Sequence, residues 1–293
     1  MALESEHTVG RSPECRLVIP AAYVSAQHAL LRWTGYAWEA KDLGSTNGTW
    51  VNGERLRTGE ARRLERDAVL TFGHLEQRWQ LSNADPPQSL LVPLEGGMPI
   101  MIRGAFLGLP SPQNPEVTLF QDGNLRYNLE GSDGAITPLE ADSVFEVAGR
   151  RYRLSPALAR PRTEVPRSLW TVRTVALTFR VTRDEEHVEI ELEDGGERKS
   201  LPARTSYYTL LYLARRRLAD AEQGHPPSAC GWVFKEEILE ALDLTPTQLN
   251  LEIFRIREQF SNLGIGDSAH IVERRSTTKQ LRIGAERLEI QTL

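Results

Sequence analysis

Cysteine is almost missing from this chain. Cys15 and Cys230 are the two thiols in 293 residues, and neither has a CxxC neighbour, so a disulfide framework is not expected and a reducing, cytoplasmic setting is the default. Long apolar runs are missing too: nothing approaches the roughly eighteen residues a membrane-spanning helix needs. The opening "MALESEHTVG" is acidic and lacks the apolar core of a secretory signal. The six histidines are scattered without ligand spacing, so neither a metal nor a cofactor is expected. No basic excess is present, with 35 Lys and Arg against 40 Asp and Glu, although a nucleic-acid binder needs a cationic footprint at least locally. An enzyme has little behind it, for no nucleophile–base–orienter set and no phosphate-cradling glycine loop before a helix can be found. "GHPPSAC" (224–230) brings His225 near Cys230, but its prolines mark a loop rather than a catalytic dyad.

What is present divides into segments. Residues 1–84 read as short strands such as "HALLRW" and "AWEAKDL", separated by turn residues, and "RRLERDAVLTFGHLEQRWQLS" (62–82) reads as two strands joined at Gly73. "NADPPQS" (83–89) breaks the pattern and suggests a domain boundary. A second strand-rich segment, 88–156, ends in "LEADSVFEVAGRRYRLS", which shares its order of residues with "LERDAVLTFGHLEQRWQLS"; "LGLPSP" (107–112) likewise echoes "VGRSPE" (9–14). This predicts an internal repeat of one β-sandwich unit. The proline- and arginine-bearing stretch 157–168 suits a semi-rigid linker. From 169 to 293 the pattern is strands, then three helices carried by "SYYTLLYLARRR", "FKEEILEALDL" and "QLNLEIFRIREQF", then a strand–turn–strand in "IVERRSTTKQLRI". Thr245 is placed to cap the third helix, Pro246 to open it and Gly264 to stop it. The expected fold class is therefore multidomain: two all-β sandwiches followed by an α+β domain.

"VGRS" (9–12), "VSAQHALL" (24–31) and "GSTNGTWVNG" (44–53), in this order and spacing, resemble the forkhead-associated (FHA) domains. The resemblance implies a β-sandwich that binds phosphothreonine peptides through loops at one end, with Arg11, Ser25, Thr46 and Asn47 as contact residues, His28 as a loop support, and Gly10 and Gly48 allowing tight turns. The chemistry suits them: a phosphate carries nearly two charges and three acceptor oxygens, Arg11 offers a forked cation, and Ser25 and Thr46 offer hydroxyls. Asn52-Gly53 reads as a supporting hairpin. Two positions depart from the family, Ala26 where many members carry Asn and Tyr23 where a basic residue is frequent. Only nine residues precede Gly10, where the family has a further strand, so the sandwich is expected to borrow an edge strand or to continue upstream.

The second segment resembles a degenerate copy, with Gly108-Leu109 in place of Gly-Arg and "GSDGAI" (131–136) in place of "GSTNGT". It is expected not to bind phosphopeptide and to act as a spacer or dimer surface. The third is similar to the winged-helix-turn-helix output domains of bacterial OmpR/PhoB-type response regulators, in which the third helix enters the major groove and the wing reaches the backbone. Periodicity puts Leu249, Ile253, Ile256, Phe260 and Leu263 in the core, and Thr247, Leu251, Phe254, Arg255 and Glu258 on the opposite face, flanked by Asn250 and Arg257. DNA-binding candidates are Thr247, Asn250, Arg255, Arg257, Arg274, Arg275 and Lys279. Against them, residues 166–293 hold 18 basic and 20 acidic side chains, Glu258 would repel phosphates, and an exposed Phe254 suits a protein partner better. The expected function is a regulator downstream of a Ser/Thr kinase, whose partners are a phosphothreonine-containing protein (kinase or substrate) and double-stranded DNA. The alternative is an adaptor whose winged helix binds protein through Leu251 and Phe254.

Overall fold

The computed structural model describes residues 3–122, 124–157 and 170–293, and these form two compact units, one of residues up to 102 with 153–157, the other of residues 103–152 with those from 170 on. The linker expected at 157–168 lies, from residue 158 on, outside the described residues.

The first unit is built on β1 (Glu6–Gly10), β2 (Leu17–Val18), β3 (Ala29–Trp33), β4 (Trp38–Asp42), β5 (Thr49–Val51), β6 (Glu54–Arg55), β7 (Ala61–Leu64), β8 (Val69–Phe72) and β9 (Arg78–Gln80). They make two sheets, in the orders β2-β1-β3-β4-β7 and β6-β5-β8-β9. Alternate residues of β3 and β4 face inward, so Leu31, Trp33, Trp38 and Ala40 join Val9, Val51, Leu70 and Phe72 in one core. The stretch 62–82, expected as two strands, is three. Asp67 takes a left-handed turn (φ 65°) that ends β7 before β8 begins, and an Asp tolerates that backbone where most residues do not. Two further strands, β10 (Leu90–Pro93) and β11 (Ile100–Met101), form an antiparallel pair. Near the start of the chain, Glu4 receives both terminal nitrogens of Arg153 at 2.9 Å each.

The second unit opens with a four-stranded antiparallel meander, β12 (Phe106–Ser111), β13 (Asn114–Gln121), β14 (Tyr127–Glu130) and β15 (Ile136–Leu139). The strands β16 (Val144–Val147) and β17 (Arg150–Ser155) follow. Beyond residue 170 come β18 (Ala176–Val181), β19 (Val188–Asp194), β20 (Glu197–Leu201), α1 (Tyr207–Glu222), β21 (Val233–Phe234), α2 (Lys235–Ala241), α3 (Pro246–Asn262), β22 (Val272–Arg275), β23 (Gln280–Ile283) and β24 (Arg287–Thr292). The last strand adds parallel to β18 and completes a sheet ordered β20-β19-β18-β24. Helix α3 starts in a capping box: the Thr245 hydroxyl accepts the Gln248 N–H at 3.3 Å, and the Gln248 side-chain oxygen accepts the Thr245 N–H at 2.7 Å. Leu249, Ile253, Ile256 and Phe260 are at most 1% exposed and pack with Tyr207, Leu210 and Ala214 of α1. No helix among the described residues is long and apolar enough to cross a membrane.

Candidate functional site

Two loops of the first unit meet. The Arg11 N–H donates to the Ser25 carbonyl at 2.9 Å and the Ser12 N–H to that of Ala26 at 3.1 Å, which lays the residues after β1 along the loop before β3. Gly10 makes the approach possible, because a Cβ there would lie 2.1 Å from the Ala26 oxygen. The second loop, between β4 and β5, comes to the same place. The Thr46 N–H donates to the Ser25 hydroxyl at 3.0 Å, the two hydroxyls are 3.4 Å apart, and the Asn47 amide nitrogen donates to the Tyr23 carbonyl at 2.8 Å. Arg11, Thr46 and Asn47 are exposed and Ser25 is half-buried. The structure thus brings together the loops that carry all four residues expected to contact the phosphopeptide.

His28, fully buried, holds the loops from beneath. Its Nδ1 accepts the Ser25 N–H at 3.1 Å, so Nε2 carries the proton and donates to the Gly48 carbonyl at 2.9 Å. Gly48 has φ 95°, and a Cβ there would lie 2.4 Å from the Arg55 Nε. Asn52 (φ 52°) and Gly53 (φ 83°) are the left-handed pair of a two-residue hairpin between β5 and β6, and the Asn52 side-chain oxygen takes the Val69 N–H at 2.8 Å.

Sequence reasoning passed over Asp42. Its carboxylate is buried and takes the Gly44 and Ser45 N–H groups at 2.8 and 3.0 Å and the Ser45 and Thr49 hydroxyls at 2.6 and 2.7 Å. Ser45 Oγ in turn accepts the Gly48 N–H at 2.9 Å. Burial pushes the Asp42 pKa up, but these hydrogen bonds outweigh it and leave the pKa below its ordinary value. The signal was present: an Asp two residues before a Gly-Ser pair is the pattern of an Asx turn.

A face on the end loops of a sandwich that carries an exposed arginine, two hydroxyls and an amide has the chemistry of a binding module for an oxyanion on an extended peptide. Residues 7–73 match the family model of the FHA domain, so the chain carries an FHA domain in its first unit. The FHA domain-containing protein FhaB of Mycobacterium tuberculosis is 40% identical over 50 residues, 17% of this chain and 32% of that protein. The chain therefore spans about a third of the length of the curated relatives it matches. A structure described as phosphothreonine-dependent FHA domain interactions is 32% identical, covering 25% of this chain and 72% of that one with a TM-score of 0.23. M. tuberculosis EmbR in complex with a low-affinity phosphopeptide is 31% identical, covering 23% and 17% with a TM-score of 0.22.

In the second unit the candidates separate. Thr247, Arg255, Arg275 and Lys279 are exposed. Arg275 and Arg282 bracket the Trp232 ring, at 3.7 and 4.5 Å from its centroid. The exposed face expected for Phe254, Arg257 and Arg274 is corrected by the structure. Phe254 and Arg257 are each 4% exposed, the Arg274 side chain is 10% exposed, and Asn250 accepts an Arg274 N–H at 3.1 Å. The meander β12–β15 covers them, and helix periodicity marks only the inner apolar face, with no trace of a second partner. Arg217 of α1 is also buried and donates to the Ile283 carbonyl at 2.6 Å. The Cys230 thiol lies 3.3 Å from the His225 carbonyl rather than pairing with its ring.

Proposed function

We propose that the chain is a cytoplasmic reader of phosphothreonine, acting downstream of a Ser/Thr kinase, with a C-terminal winged-helix domain (169–293) that acts on double-stranded DNA. Arg11, Ser25, Thr46 and Asn47 contact the phosphopeptide, while Gly10, His28 and Gly48 hold the loops. The convergence of Arg11, Ser25 and Thr46 around hydrogen bonds of 2.9–3.4 Å carries the reading. The segment 88–156, which the fold divides between the two units, lacks the arginine and amide at the matching places and does not bind phosphopeptide. The winged-helix reading draws support from three helices followed by the β22–β23 hairpin. The adaptor alternative, that the winged helix binds protein, loses Phe254 as a docking residue, because that ring is buried against Phe106 and Phe120 of the same chain.

The test is calorimetry with the best phosphothreonine peptide from a library screened on the whole chain. Arg11→Ala should weaken binding about 10–100-fold, the range of a hydrogen-bonded charge pair, without lowering the melting temperature. Equal affinity of wild type and variant would refute the assignment.

A further inference from the structure

The face of α3 that points away from its own core is partly covered, at Phe254 and Arg257. Glu130, the last residue of β14, is 3% exposed and lies between two arginines. Arg257 of α3 donates to it through both terminal nitrogens, one of them at 3.3 Å, and also reaches the Val272 carbonyl at 2.7 Å. Arg274 of the hairpin brings its Nε within 3.5 Å of the same carboxylate. The other nitrogens of Arg274 go to the Gly131 carbonyl at 3.4 Å and to Asn250 at 3.1 Å. Beside this cluster, Phe254 packs against Phe106 and Phe120 of the meander. The backbone is shaped for both contacts. A Cβ on Gly134 (φ 83°) would stand 2.8 Å from the Arg274 Cβ, and one on Gly108 would stand 3.4 Å from the Phe254 ring.

Glu130 is the one carboxylate in contact with both cations, with the charge of Asp133 also acting on Arg274, and neither Nε has a hydrogen-bond partner among the described residues. Buried guanidinium nitrogens without hydrogen-bond partners are costly, so an anion with more acceptor oxygens has something to gain here. The Arg257–carboxylate fork has the stereochemistry that an arginine offers a phosphodiester. A duplex and the meander cannot occupy the same face of α3 together.

We propose that the meander β12–β15 is an intramolecular competitor for nucleic acid, with the Glu130 carboxylate standing where a backbone phosphate would bind Arg257 and Arg274. The proposal rests on the reading of α3 and the hairpin as a DNA-binding surface. It gives the second strand-rich segment a role: the turn "GSDG" (131–134), at the place of "GSTNGT" in the first segment, takes up an arginine of its own chain. The closed form presents Thr247, Arg255, Arg275 and Lys279 but withholds Arg257, Arg274 and Phe254.

The test uses the full chain, a fluorescein-labelled duplex of mixed sequence, and anisotropy over a salt series. Glu130→Gln removes the charge with little change of shape, and Phe106→Ala loosens the apolar end independently should the first variant fold poorly. Hydrogen exchange over 250–257 and 272–275 reports whether the face has opened. Opening should raise duplex affinity about tenfold or more, within the usual range of coupling between sites, and should steepen the salt slope by about 2 for two added phosphate contacts. If the wild type binds duplex as tightly as the opened variants, the masking is wrong while the DNA reading stands. If exchange rises and neither wild type nor variants bind, the DNA reading is wrong and the masking of it falls as well.

Discussion

Replacing His28 with alanine isolates what the scaffold under the peptide loops contributes. The ring is fully buried, meets Phe72 edge-on at 5.9 Å, and joins the Ser25 N–H of one loop to the Gly48 carbonyl of the other at 3.1 and 2.9 Å. Alanine removes both links: the Gly48 carbonyl keeps the Gly73 N–H at 2.9 Å, but the half-buried Ser25 N–H loses its acceptor, at a cost of about 1–3 kcal/mol. That is measurable against a domain's usual 5–15 kcal/mol. It should appear in calorimetry as a lowered melting transition of the first unit, together with weakened phosphothreonine-peptide binding, since Ser25 and Thr46 lose their relative position. Arg11→Ala should separate the two readouts by losing affinity alone. A His28→Ala protein that melts like wild type and binds peptide with unchanged affinity would refute the view that this histidine holds the site together.

Asp42, whose pKa is held below the ordinary 3.8, stabilises the loop at neutral pH and loses that contribution as pH falls from about 4 through the depressed folded value. Acid titration of first-unit stability should therefore be flatter for Asp42→Asn than for wild type; parallel curves would show that the carboxylate network adds nothing. Thr245→Ala removes one half of the capping box of α3 at an exposed position and should destabilise the second unit by about 1 kcal/mol. Urea unfolding followed by helical circular dichroism measures it, and an unchanged midpoint would contradict the cap.

The peptide site was legible because its parts are short and local. "VGRS", "VSAQH" and "GSTNGT" each fit within one turn, and their residue types are those that tight backbone and oxyanions require. Thr245, Pro246 and the inner face of α3 were legible for the same reason, since caps and the 3.6-residue period act within a few residues. The break between β7 and β8 was missed because Asp67 is a less obvious punctuation mark than Gly73. Strand β24 was missed because its partner β18 stands far away in sequence.

Local chemistry alone therefore determined the strands, turns and helices that build the FHA loops and the C-terminal helices, and singled out the four residues that meet there. Tertiary structure decided what lies opposite each face. Phe254, Arg257 and Arg274 look like surface residues in any local window. They are buried because β12–β15 supplies two aromatic rings and one carboxylate across more than a hundred residues of chain. A side chain's own period sets the direction in which it points, and only the folded chain sets what it meets there.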